Sequence, residues 1–184
     1  GWDDGSHNAD HIARRAQEAG VSIVTIHGRT RCQFYKGHAD WAAIRSVVDA
    51  VDVPVIANGD IVDGKTAAQA LKKSGAAGVM VGRGAQGRPW LLARIAHDLG
   101  QGPRPRVPEG AALADLICGH YEDLLSFYGG ELGVRCARKH LGWYMDDLFT
   151  PTALRREILT ARDPKIVLAA LARLRPADEE REAA

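Results

Sequence analysis

The chain has 184 residues, 46% of them hydrophobic and 26% charged, enough for one packed domain or one domain with a small appendage. A formal net charge of +1 excludes a partner recruited by bulk charge alone, though a local basic face remains open. Cys32, Cys118 and Cys136 are too few and too scattered for a disulfide framework, no Cys/His spacing suits a structural metal, and no apolar run is long enough to span a bilayer, so neither metal nor membrane is expected and the cytoplasm is the default compartment.

The opening GWDDGSHN reads as a loop from the middle of a domain, so the numbering is expected to begin partway through a longer protein. NADHIARRAQEAG follows as a helix, with Ile12, Ala16 and Ala19 on one face and Gly20 as its stop. VSIVTI, residues 21–26, is an apolar, β-branched run of strand length. After HGRTRCQFYKG, Asp40 or Trp41 opens a second helix, WAAIRSVVDAV, with Ile44, Val47, Val48 and Val51 on one side. VPVIA, residues 53–57, is a buried strand, and NGDIVDG is a turn. Residues 65–74 form a third helix ended by Gly75, and AGVMV, residues 77–81, is a third strand. GRGAQGRPW then leads to a helix that starts at Pro89 and runs through His97.

Uninterrupted apolar strands alternating with helices imply a parallel sheet covered by helices, an α/β fold. Each polar cluster (HGR, NGD, GRG) falls at the C-terminal end of a strand, where such folds place their sites. QGPRPRVPEG, residues 101–110, is a linker rich in Pro and Gly. Leu113, Leu116, Ile117, His120, Leu124 and Phe127 mark one helix beyond it, and Val134, Ala137, Leu141, Tyr144 and Leu148 mark a second. Thr150-Pro151 and Asp163-Pro164 are cap-plus-first-residue signals for two more. The expected organisation is an α/β part over 1–100, the linker, an all-helical part over 111–175, and a frayed charged tail over 176–184. An open sheet of so few parallel strands leaves exposed edges, which invite pairing with something else, self-association included.

The strand-end clusters carry the chemistry. In GRGAQGRP, Gly82 and Gly84 let backbone amides approach a ligand and Arg83 adds a double donor, a combination that suits phosphate; a Gly-rich turn with no ligand is the other reading. In NGD, Asn58 can bond in both directions, Gly59 permits a sharp turn, and Asp60 can accept from a hydroxyl or cap the next helix; a plain Asx turn would look the same. His27 emerges over the sheet's end, where a lone His is more often a satisfied structural group than a catalyst. Arg29, Arg31, Tyr35 and Lys36 interleave cations with an aromatic, which fits a polyanion whose bases need stacking. Arg135, Arg138 and Lys139 share one helix face with His140 at its flank, either an RNA-facing stripe or an ordinary wet surface. Nothing pairs Cys32 with a base, so it is not read as a nucleophile.

Taken in order, HGRTRCQFYKGHADW, VPVIANGDI, GVMVGRGAQGRPW and RKHLGWY resemble the bacterial tRNA-dihydrouridine synthases over essentially the whole chain except the tail, and lean towards their DusB-like subgroup. The resemblance implies the last three β/α units of an FMN-binding (β/α)8 TIM barrel followed by a small all-helical domain. It implies FMN as cofactor, NADPH as reductant and tRNA as partner. By motif, Gly82 and Arg83 would hold the flavin phosphate with Gly59 and Gly84 near it, and His27 would contact that phosphate or its neighbourhood. Asn58 and Asp60 would line the ribityl chain. Arg29 would flank the site, Tyr35 would reach the target uracil, and Arg31 with Lys36 would contact RNA. Arg135, Arg138 and Lys139 would face the tRNA backbone. The family's general-acid Cys belongs to an Asn-x-Gly-Cys-Pro motif that does not occur here, so no catalytic residue is assigned and the chain alone is expected to be inactive. Two alternatives remain: a non-catalytic RNA-binding module, and another phosphate-binding barrel enzyme.

Overall fold

The structure, a computed structural model, describes residues 1–175; the expected tail lies outside them. The chain divides into two compact units, one of residues 1–85 and 89–105, the other of residues 86–88 and the chain from 106 onward.

The first unit alternates helix and strand: α1 (Ala9–Glu18), β1 (Val24–His27), α2 (Arg45–Val48), β2 (Val55–Asn58), α3 (Gly64–Ser74), β3 (Gly78–Met80) and α4 (Leu91–Asp98). The strands pair in parallel in the order β1-β2-β3, as the alternating pattern predicts. The register sets Ile26 beside Ala57 and Val79, and His27 beside Asn58 and Met80. Period-two alternation therefore sends these two rows to opposite faces. Val55 and Ala57 of the central strand are buried, packed with Ala13, Ile44 and Val47 and with the partly buried Val24 and Ile26. A neighbouring cluster of Ile61, Ala67, Ala70, Leu91 and Ile95 packs with Val79 and Val81. On the other face Thr25, His27 and Met80 are exposed.

Several expectations need correction. The strands begin later than their apolar runs do, because ladder pairing starts only at Val24 with Val55; Val21 and Ile23 precede it and are exposed. Ala13, not Ile12, is the buried residue of α1. The second helix contracts to Arg45–Val48. Before it, Asp40 accepts from the Ala43 amide and the backbone turns through Ile44-to-Trp41 and Arg45-to-Ala42 bonds, yet Ile44 and Val47 still reach the core. A 3-10 turn over Arg83–Ala85 follows β3, and α4 starts at Leu91 rather than Pro89. The amides nearest Arg83 are therefore those of a short turn, not of a long helix.

The second unit contains α5 (Gly110–Tyr128), α6 (Gly130–Asp147), α7 (Thr152–Thr160) and α8 (Pro164–Ala172). The α6 seam is as predicted, with Val134, Ala137, Leu141 and Tyr144 buried and Leu148 just past the helix end. On α5 the buried residues are Ala114, Ile117 and Tyr121, while Phe127 is 80% exposed, so the stripe lies partly off the predicted one. Asp163 caps α8 by accepting from the Lys165 amide, with Pro164 in the first turn. Thr150 does not cap α7; Pro151 takes the cap position and the Thr150 hydroxyl is buried without a partner.

The best-defined local signal is at α3. Asp63 accepts from the Thr66 amide, Thr66 answers by accepting from the Asp63 amide, and Gly75 closes the helix at φ 69°. Asp63→Ala removes that cap and is expected to cost about 1 kcal/mol. Thermal unfolding of the chain checks this, and an unchanged midpoint would mean that α3 is held by packing alone.

Candidate functional site at the strand ends

β1, β2 and β3 end on the same side of the sheet, so the loops that leave them meet there. His27, Asn58 and Met80 form the last row of the register, and Asn58 ties two strands by donating to the Met80 carbonyl at 2.9 Å. The turn after β2 then needs unusual backbone: Gly59 at φ 114° and Asp60 at φ 54°. A Cβ at Gly59 would lie 2.7 Å from the Ala39 Cβ and 3.2 Å from the His27 ring, so only glycine lets this turn pass beside the histidine.

Asp60 is the hub. It accepts from Arg29 at 2.7 Å and from the Ala39 amide at 2.7 Å, and Arg83 lies 3.9 Å away. Burial opposes ionisation, but the Ala39 amide, the bond and charge of Arg29 and the charge of Arg83 outweigh it and hold the Asp60 carboxyl below the usual carboxylate range. Arg29 is the strut. Its side chain is 4% exposed, and it also donates to the Lys36 carbonyl at 3.2 Å and the Gly37 carbonyl at 2.8 Å. Its Nη1 is buried without a partner.

Arg83 is arranged differently. Its side chain is 58% exposed, and its guanidinium lies over the Tyr35 ring, 4.6 Å from the centroid. Tyr35 packs edge-on against Phe34 at 4.4 Å, and Arg31 lies over Phe34 at 5.4 Å. Two cations thus flank an aromatic pair from the HGRTR loop to the GRG turn. Gly82 faces open space, whereas a Cβ on Gly84 would meet the Ile61 carbonyl oxygen at 2.5 Å, so the turn is pressed against the segment after β2. Burial, Arg29 and Arg83 together lower the His27 pKa, with Asp60 acting the other way, so the ring stands neutral at pH 7 in a positive surround. A cavity of about 260 Å³ is lined by His27, Arg29, Thr30, Arg31, Phe34 and Tyr35.

Of the residues singled out from sequence, the structure brings together His27, Arg29, Arg31, Tyr35, Asn58, Gly59, Asp60, Gly82, Arg83 and Gly84. Lys36 takes part through its carbonyl. Arg135, Arg138 and Lys139 belong to the second unit. Two contributors were missed. Trp41, read only as a helix opener, donates its indole N–H to the Gly59 carbonyl at 2.8 Å; an aromatic N–H beside an apolar run needs an acceptor, and that was the available signal. Phe34 holds φ 54° with its ring 58% exposed, which no local pattern announces. Among the described residues no His, Cys, Asp or Glu group is placed to hold a metal, and no helix is long and apolar enough to cross a membrane.

A family model described as dihydrouridine synthase (Dus) matches residues 1–178. A probable tRNA-dihydrouridine synthase of Rhodobacter capsulatus is 56% identical over 184 residues, which is 100% of this chain and 55% of the relative. One of Rickettsia conorii is 49% identical over 167 residues, 91% of this chain and 50% of the relative. A tRNA-dihydrouridine synthase B of Xanthomonas axonopodis pv. citri is 45% identical over 169 residues, 92% of this chain and 51% of the relative. The chain spans about half the length of the curated relatives it matches.

Arg29→Ala strands the Asp60 carboxylate and two carbonyls. Breaking a buried pair costs about 3–5 kcal/mol, and the partial exposure of Asp60 brings the expected loss to about 2 kcal/mol. Limited proteolysis should then cut within residues 31–37, and Arg29→Lys should not rescue, because an ammonium cannot serve those divergent acceptors in fixed geometry. Since the Asp60 pKa is lower folded than unfolded, its contribution is present above the unfolded value and is lost as pH falls through the folded one. Acid unfolding below about pH 4 should therefore be blunted in Asp60→Asn relative to wild type. Equal acid sensitivity would contradict this role.

Proposed function

This chain belongs to the dihydrouridine synthase family, and from that premise we propose that it contributes the last three β/α units of a (β/α)8 barrel and a tRNA-binding helical domain to an enzyme that reduces a uridine of tRNA to 5,6-dihydrouridine. The observation that carries the reading is the exposed Arg83 guanidinium at the strand ends, beside open space at Gly82.

These groups fit the phosphate end of FMN. Arg83 makes only a long contact with Asp60, so its donors are free for an anion. His27 can donate one hydrogen bond without adding charge, and the buried Nη1 of Arg29 is a donor lacking an acceptor. When bound, the flavin supplies the hydride for uracil C6, with NADPH as its reductant. Arg83, the Gly82 amide and His27 would bind the phosphate. Asn58, Gly59, Asp60 and Gly84 would shape the ribityl-side wall. Arg29 would keep that wall and the residue 31–37 loop in one position. Tyr35 would place its ring against the incoming base, and Arg31 and Lys36 would take RNA phosphates. The uridine must leave its stack, at a cost of roughly a few kcal/mol, which contacts from Arg135, Arg138 and Lys139 would offset. No residue described here protonates C5; Cys32 lies exposed in the loop, and that step belongs to the Asn-x-Gly-Cys-Pro cysteine expected outside these residues.

In the parent protein carrying the remaining barrel strands, Arg83→Ala should weaken FMN binding about 10- to 100-fold, the worth of one charge-assisted contact. Flavin fluorescence titration measures this, and unchanged affinity would remove Arg83 from the site. The 184-residue chain alone should give no dihydrouridine with NADPH and tRNA; robust turnover would overturn the division of labour.

A further inference from the structure

The second unit contains a cavity of about 310 Å³ lined by Glu131, Val134, Arg135 and Arg138 of α6 and by Arg162 of the turn between α7 and α8. Glu131, Arg135 and Arg138 fall on one helix face through i, i+3 and i+4 spacing, and the chain's return after α7 brings Arg162 to them. Three arginines and one glutamate thus line one cavity. Among the described residues none of the four charged groups has an ion-pair or hydrogen-bond partner, and the Arg138 Nε is sealed from solvent with its proton unused.

Among the described residues of this unit, Arg88, Arg155, Arg173 and Arg175 are paired, whereas Arg106 and Arg156 are not. Arg155 meets Asp146 at 2.7 Å, Arg173 meets Glu157 at 2.8 Å and Arg88 meets Asp147 at 3.7 Å. What sets the cavity apart is that three unpaired arginines line one space. Tyr121 of α5, 1% exposed, also has a buried unpartnered hydroxyl, but it does not line the cavity. No aromatic ring lines the cavity, so it offers a nucleobase nothing to stack on. Planar guanidinium forks match a tetrahedral oxyanion.

We propose that this cavity is a phosphate pocket in which Arg135, Arg138 and Arg162 together hold one oxyanion, supplied by the RNA backbone. The source rests on the tRNA reading above; the pocket does not. Arg135 and Arg138 then act not as two steps of a surface stripe with Lys139, which does not line the cavity, but as one receptor completed by an arginine from another element. Glu131 works against the anion and so gives a control of opposite sign.

The test has two arms. In the first, tRNA affinity of the parent protein carrying the remaining barrel strands is measured against salt. Arg162 is exposed in a turn, so Arg162→Ala leaves the helical core intact. One shared phosphate predicts that Arg162→Ala lowers the slope of log K against log salt by about one contact, roughly 0.7–0.9, and that Arg138→Ala/Arg162→Ala lowers it no further. Glu131→Gln should tighten binding. Stepwise loss of slope with each arginine would mean separate phosphates and overturn the shared pocket. An unchanged slope in Arg162→Ala, with wild-type binding intact, would overturn the pocket's role and leave the tRNA reading standing. No binding of tRNA by wild type would overturn the source.

In the second arm, inorganic phosphate replaces chloride at fixed ionic strength. It should raise the unfolding temperature of wild type and not of Arg162→Ala. No rise in wild type would overturn the pocket whatever RNA does. A rise with an unaltered tRNA slope would assign the pocket to free phosphate and overturn the RNA source.

Discussion

Arg29 with Asp60 joins the loop after β1 to the turn after β2, and the strand-end site depends on that contact. The guanidinium fork reaches a carboxylate and two carbonyls at once, and the carboxylate in turn takes the Ala39 amide. A buried arginine is tolerated only when its donors are met, and here all but Nη1 are. Because Asp60 is occupied from one side by Arg29, its negative charge balances the strut. Arg83 stays at 3.9 Å with an exposed side chain. The division of labour between the two arginines follows from this: one is fixed in the structure, the other faces outward on the Tyr35 ring.

That arrangement explains why a strand end is so densely cationic. Burial first, and then the charges of Arg29 and Arg83, lower the proton affinity of His27, so the ring can donate without adding charge. Phe34 holds φ 54° and Asp60 holds φ 54°, backbone states that side-chain-bearing residues rarely occupy. Such outliers persist where surrounding contacts over-determine them, and they collect at functional sites. In the second unit the same chemistry recurs with a different outcome, since three of its unpaired arginines line one cavity rather than a loop.

Much of this was legible in the sequence where a pattern is local. The parallel order of the strands follows from βα alternation, and the α6 seam follows from a long periodic run. The motif order that resembles the dihydrouridine synthases is borne out by the family match over residues 1–178. What sequence hid was set by tertiary contacts. Arg29 and Asp60 are 31 residues apart, and no pattern pairs them. α2 shortened because Trp41 turns its indole to the Gly59 carbonyl and Asp40 caps a tight turn, constraints that apolar periodicity does not register. Ala13 rather than Ile12 faces the core, since small residues let a helix approach a sheet closely. Arg162 sits in a turn, outside any stripe that helical spacing could reveal.

The central claim is geometric: loops from three strand ends meet beside Arg83, and the proposed anion would bind there with Arg83 as its outward donor. A crystal structure of the parent protein with flavin mononucleotide bound tests it most directly. The account predicts the phosphate oxygens within hydrogen-bond reach of the Arg83 guanidinium and the Gly82 amide. A phosphate bound at another part of the barrel, with Arg83 still resting on Tyr35 and touching no ligand, would contradict it.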